Sequence, residues 1–178
     1  HTLGESFYNP FLPATVEELC TRGLARESEG ALAAFFEDVP ELKAHPALIQ
    51  KSDGGFNYTT TDLATLAYRL ATWRPDEIVY VTDGRQQLHF RQLFALFRKW
   101  HPEAKIKLAH VWFGSILGED GRPFRTRSGD AIKLTDLLDE AEERALKVVT
   151  EKNPDLLESQ RRAIARIVGL GAVKYSDL

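Results

Sequence analysis

The 178-residue sequence has no methionine, one cysteine and no long hydrophobic run. Each shortage excludes something. With Cys20 alone, neither an internal disulfide nor a cysteine-rich zinc site can form, and a reducing, cytoplasmic setting is expected. The five histidines, His1, His45, His89, His101 and His110, show no metal-site spacing. No apolar run approaches the length of a membrane span, and the N-terminus lacks the basic-then-apolar pattern of a secretory signal, so no membrane partner is expected. The phosphate-binding pattern GxxxxGK[ST] is missing, and no Ser–His–Asp arrangement can be assigned. A formal charge of −3 argues against a free-standing basic nucleic-acid module. It leaves room for an RNA partner held by other parts of a longer protein. The missing methionine, the opening His1-Thr2-Leu3-Gly4-Glu5 and a close inside an apolar-periodic stretch at Leu178 together point to a piece of something larger.

Hydrophobic residues at 43% and charged residues at 28% are ordinary globular proportions, and the length suits one domain with a sizeable core. Residues 1–13 read as an extended connector and 14–22 as a short helix stopped by Gly23. Two runs flanking Gly30 read as a hairpin, 47–50 as a strand, and Asp53-Gly54-Gly55 as a turn. Leu63, Leu66, Ala67 and Leu70 give residues 61–72 one apolar helical face, and Thr59 with Asp62 has capping-box-like spacing. The unbroken run Ile78-Val79-Tyr80-Val81 suits a strand buried on both faces, as in a parallel sheet. A helix over 86–100 with Phe90, Leu93, Phe94, Phe97 and Trp100 inward follows, then a strand over 105–111 and a Gly-rich loop over 114–129. The spacing predicts a helix over 134–150 with Leu134, Leu137, Leu138, Ala141, Ala145 and Val148 on one side, broken by Pro154. Two more helical segments are predicted, near 156–168 and 171–178. The succession strand, helix, strand, helix over 77–150 indicates an α/β fold with parallel strands flanked by helices and a small β-hairpin insertion near the N-terminus. One domain is expected over 1–178, with a β-rich insertion at 23–52, a core with substrate loops at 53–130 and a helical part at 131–178.

In open α/β sheets, ligands bind beyond the carboxyl ends of the strands. After Val81 comes the polar stretch from Thr82 to His89, and after Val111 comes Trp112-Phe113-Gly114. Tyr58 and Asp62 lie four apart where a helix begins. A carboxylate beside a phenol ring binds a guanidinium well, by paired hydrogen bonds and ring contact; equally, Asp62 can complement the helix N-terminus while Tyr58 is core. His89 suits phosphate or ribose contact or proton transfer, and also a structural place one turn into a helix. Gln86 can bond a ligand or simply face solvent. Arg122, Arg125 and Arg127 can surround a polyphosphate or form a solvated basic turn.

Seven strings go beyond spacing: E-S-F-Y-N-P (5–10), G-L-A-R-E-S-E-G-A (23–31), Q-K-S-D-G-G-F-N-Y-T-T-T-D-L-A (50–64), Y-V-T-D-G-R-Q-Q-L-H-F (80–90), H-V-W-F-G-S-I-L-G-E-D-G-R-P-F-R-T-R-S-G (110–129), L-T-D-L-L-D-E-A (134–141) and V-G-L-G-A-V-K-Y-S-D-L (168–178). In this order they resemble arginyl-tRNA synthetases over nearly the whole chain. The resemblance implies the second half of the class I Rossmann-like catalytic fold. It also implies ATP-dependent activation of L-arginine to arginyl-adenylate and transfer to its tRNA. ATP with Mg2+ is then a substrate, with no tightly bound cofactor, and the arginine tRNA is a partner held mainly by domains outside this sequence. By the same resemblance, Tyr58, Asp62 and Gln86 line the arginine pocket, and His89, Phe113 and Gly114 border ATP. Arg125, Thr126 and Arg127 stand for the degenerate Lys-Met-Ser-Lys-Ser loop that steadies pyrophosphate. The family's usual residue at position 125 is Lys; Arg keeps the charge but changes reach and geometry. The family signature H-I-G-H does not occur in the sequence, so the piece alone is expected not to form adenylate. The other readings are a stand-alone arginine-binding module without catalysis and an unrelated nucleotide-binding α/β protein.

Overall fold

The computed structural model describes residues 1–114 and 133–176. The chain divides into two compact units, His1–Trp112 and Phe113–Leu178.

The first unit opens differently from the extended connector expected. Glu5–Phe11 is a 3-10 helix that runs into α1 (Leu12–Thr21), with Pro13 in the first turn, where a missing N–H costs nothing. Tyr8 of this opening turn is buried against Leu12 and Ala64. Next comes the hairpin of β1 (Arg26–Ser28) and β2 (Ala31–Ala34). Its two-residue turn holds Glu29 at φ 53° and Gly30 at φ 78°, the left-handed pair that matches strand twist. β3 (Ala47–Gln50) adds to β2, giving a three-stranded antiparallel sheet with register Arg26↔Ala33 and Ala33↔Leu48.

Beyond the turn at Gly54 lies α2 (Tyr58–Trp73), which starts three residues earlier than its apolar periodicity indicates. Asn57, not Thr59, is the cap: its side-chain oxygen accepts from the Thr60 N–H at 3.4 Å. β4 (Glu77–Asp83), a 3-10 turn at Gly84–Gln86, α3 (Gln87–Trp100) and β5 (Lys107–Phe113) follow. β4 and β5 pair as a parallel two-stranded sheet flanked by helices, so the mixed α/β reading holds. The main core of this unit buries Leu19, Phe36, Ile49, Leu63, Leu93 and Phe97 together, beside the smaller cluster around Tyr8. The expectation for β4 needs correction. Ile78 is buried, but Val79 and Val81 on the opposite face are exposed, Val81 by 63%, as is Val111 of β5. One face of this sheet is covered within the unit; the other is open.

The second unit holds α4 (Leu134–Lys152) and α5 (Glu158–Ser176). They cross with no side chain between them at one point, where a Cβ on Gly169 would stand 2.7 Å from the Ala141 carbonyl oxygen. α5 is one continuous helix where two segments were expected, because glycine inside a helix costs only about 1 kcal/mol and its absence of a side chain permits this approach. Leu134 and Val148 are exposed rather than inward, and Val149 is the buried residue near the end of α4.

Candidate functional site

The start of α2 is stitched to the end of β3. The Thr60 hydroxyl donates to the Ile49 carbonyl, and the Asn57 amide donates to the Leu48 carbonyl at 2.9 Å. These bonds fix the entry of the chain into α2 and place Tyr58 in its first turn and Asp62 one turn further on. The start of α3 is fixed by Asp83, whose carboxylate accepts from the Arg85 backbone N–H at 2.8 Å. It also accepts from Arg85 Nε at 2.9 Å and from a terminal guanidinium nitrogen at 3.0 Å. That grip raises the Arg85 guanidinium further above its ordinary range and leaves the chain to enter α3 through Gln86.

His89, one turn into α3, meets the α2 residues. Its Nε2 lies 2.6 Å from Asp62 Oδ2, and the Tyr58 ring stands edge-on to the imidazole with centroids 4.7 Å apart and planes at 82°. A carboxylate oxygen only accepts, so Nε2 is the donor. His89 is buried, whereas the Asp62 side chain is 27% exposed and Tyr58 largely exposed. The three therefore form a graded group, from a dry imidazole through a half-wet carboxylate to a phenol at the surface.

The packing behind this group contains polar residues that the sequence reading passed over. Tyr80 of β4 packs on Phe90 at 4.7 Å, with the Arg69 guanidinium 5.8 Å from its ring. Burial pushes the Tyr80 hydroxyl well above the ordinary phenol range. Arg69 opposes that shift, and the charges of Asp62 and Tyr8 add to it. The hydroxyls of Tyr8 and Tyr80, Arg69 Nε and His89 Nδ1 are buried without hydrogen-bond partners among the described residues. On the same face of the sheet, His110 Nε2 lies 2.8 Å from the Thr82 hydroxyl. Burial, and then electrostatic repulsion from His89, lower its pKa below the ordinary imidazole value. A signal for two of these residues was present: Arg69 follows Asp62 by seven, two turns along one helix face, and Ile78, Tyr80 and Thr82 alternate on one side of β4.

The remaining expected residues fall elsewhere. Gln86 is exposed at the N-terminal end of α3 and caps it with no side-chain bond. Phe113 ends β5 and is exposed, and Gly114 follows with open space where a side chain would stand. Arg125, Thr126 and Arg127 lie outside the described residues. An open cleft of about 340 Å3 has Tyr58 in its wall, with His45, Pro46, Leu48, Asn57 and Gln92; neither Asp62 nor Gln86 lines it. Among the described residues no group of three or more His, Cys, Asp or Glu is placed to hold a metal ion, and no helix is long and apolar enough to cross a membrane.

Comparison with known proteins gives this geometry a context. An arginine–tRNA ligase of Chromobacterium violaceum is 50% identical over 182 residues, covering 100% of this chain and 32% of its own length. That of Proteus mirabilis is 49% identical over 99% of this chain and 31% of its own. The solved arginyl-tRNA synthetase of Plasmodium falciparum superposes over 98% of this chain and 28% of its own, at 31% identity and a TM-score of 0.75. A putative arginyl-tRNA synthetase of Campylobacter jejuni, 17% identical with a TM-score of 0.59, shares the fold. The chain thus spans about a third of the length of the curated relatives it matches. The model of class I tRNA synthetases (R), catalytic domain, matches residues 1–178 throughout, and the chain belongs to that family.

Proposed function

We propose that the protein carrying this chain is an arginine–tRNA ligase of the cytoplasm, acting in protein biosynthesis. It joins L-arginine to ATP as arginyl-adenylate, releasing pyrophosphate, and then transfers the arginyl group to the 3′ end of its tRNA, releasing AMP. The relatives named above support the reaction class. The observation that carries the substrate is the half-exposed Asp62 carboxylate beside the exposed Tyr58 ring. With Oδ2 engaged by His89 and no hydrogen bond to Oδ1 among the described residues, this carboxylate can accept from a planar guanidinium, while the phenol ring offers a face or a hydroxyl. Gln86 would add a side-chain amide from the start of α3.

Adenylate formation needs little covalent help from the protein. The arginine carboxylate attacks the α-phosphorus of ATP and pyrophosphate departs, so the protein's work is positioning and stabilisation of charge. Phe113 and Gly114 are assigned to the adenine side, ATP arriving with its Mg2+. The pyrophosphate role of Arg125, Thr126 and Arg127 rests on the match of F-R-T-R-S-G alone. Residues 23–52, 53–130 and 131–178 are taken as the insertion, the substrate-loop core and the helical part of one catalytic domain.

In the full-length protein, Asp62→Asn should raise the arginine KM about a hundredfold, as truncation of a paired charge in a recognition site does, with the ATP KM little changed. Arginine-dependent ATP–pyrophosphate exchange measures both, and an unchanged arginine KM would remove the assignment. The isolated chain, whose sequence holds no H-I-G-H string, should give no exchange; any exchange from it above background would count against that half of the proposal.

A further inference from the structure

We infer that His89 is a positioning residue for arginine selection: it sets the orientation of the Asp62 carboxylate and does not contact ATP. The inference deepens the reading of Asp62 as the guanidinium acceptor and rests on it.

Three observations carry it. The first is that neither imidazole nitrogen is available to a ligand. Nε2 is engaged with Asp62 Oδ2 at 2.6 Å, and Nδ1 is sealed from solvent with no partner among the described residues. A phosphate-binding imidazole needs an outward N–H, and His89 is 8% exposed. The second is that the imidazole is held from several sides. Tyr58 packs edge-on at 4.7 Å, Phe90 at 5.0 Å, and α3 carries the backbone. The donor therefore points in one direction, and Asp62 is drawn to it. The third is the gradient of exposure. The bond occupies one oxygen of a carboxylate whose side chain still reaches solvent, so the group is anchored at one oxygen while it stays within reach of a ligand.

Orientation matters for this cation in particular. A guanidinium is planar and bonds a carboxylate best in the carboxylate's own plane, whereas an ammonium is a compact charge with three rotatable donors and little preference. A carboxylate locked by His89 favours arginine over lysine. A carboxylate free to rotate still attracts both but loses the planar match.

The test uses the full-length ligase, with exchange kinetics for arginine and ATP and inhibition by lysine. His89→Ala should raise the arginine KM about tenfold, the scale of one hydrogen bond to a charged group, and leave the ATP KM within about twofold. The ratio of the lysine inhibition constant to the arginine KM should fall by a comparable factor. His89→Gln, whose amide nitrogen can stand near Nε2, should restore most of the arginine KM and of that ratio. An increase confined to the ATP KM would overturn the inference. So would a Gln variant no better than Ala, since shape rather than the donor would then matter. An unchanged ATP KM in His89→Ala also certifies that the variant is folded, and should Ala not fold, the Gln variant with Asp62→Asn decides alone. His89→Gln should then keep arginine KM near wild type while Asp62→Asn does not, and a Gln variant with raised ATP KM and normal arginine KM would refute the role. If Asp62→Asn leaves the arginine KM unchanged, the underlying substrate assignment fails; if Asp62→Asn raises it and both His89 variants do not, only the role of His89 fails.

Discussion

The two sheets of the first unit solve the problem of burial in opposite ways. The antiparallel sheet β1–β3 is built from near neighbours in the chain, its first two strands joined by a two-residue turn, and its inward residues Ala34, Ala47 and Ile49 are buried. The parallel pair β4–β5 is joined across α3. It covers one face with that helix and leaves Val79, Val81 and Val111 of the other in solvent. Antiparallel sheets are content with one wet face, whereas parallel ones are ordinarily covered on both. The difference teaches that a strand's composition records the environment of the whole protein, while its burial in a given stretch of chain records only what that stretch supplies.

The comparison can be broken by substitution. Ile49→Ala in β3 should cost about 2–5 kcal/mol, since a fully buried side chain leaves a cavity. Val81→Thr on the open face of β4 should stay within about 0.5 kcal/mol and reduce self-association through the apolar face. Urea denaturation and light scattering read both, and equal destabilisation by the two substitutions would erase the distinction. A smaller effect is expected at the hairpin. Gly30→Ala meets nothing nearer than 3.9 Å, so its cost of about 1 kcal/mol should be purely conformational, from a side chain forced to φ 78°. A loss several times larger would mean that the turn governs the register of the whole antiparallel sheet.

The smallest and most selective effect concerns pH. His110, on the covered face of the parallel pair, has its pKa lowered by burial and by His89. The unfolded chain therefore binds the proton more readily than the folded one. Its contribution is fully present above the ordinary value of 6.5 and is lost as pH falls through that value toward the lower folded pKa. Thermal melts of wild type and His110→Asn between pH 7.5 and about 5 should converge in their acid slope only if another group dominates; the expected result is a shallower slope in the variant.

Much of this architecture was legible before any coordinates. Strand 47–50, the Gly30 hairpin and the apolar face of α2 followed from periodicity and turn chemistry. What the sequence concealed was long-range. Nothing local to Thr60 says that its hydroxyl bonds Ile49, eleven residues back, so the true start of α2 at Tyr58 was obscured. Nothing local to His89 says that its partner is a carboxylate 27 residues earlier. The resemblance placed Tyr58, Asp62 and His89 in one site but on different substrates, and their joining was beyond the reach of spacing. The open face of β4 was misjudged for the opposite reason, because Ile78-Val79-Tyr80-Val81 reads as doubly buried wherever the second cover comes from.

Of the three indoles, Trp100 is sealed in the core, whereas Trp73 at the end of α2 and Trp112 near the end of β5 stand in solvent. The molecule thereby carries its own optical gauge. A soluble quencher should dim the two outer chromophores and spare the inner, and a partner that covered either outer indole would shift its emission to the blue and shield it.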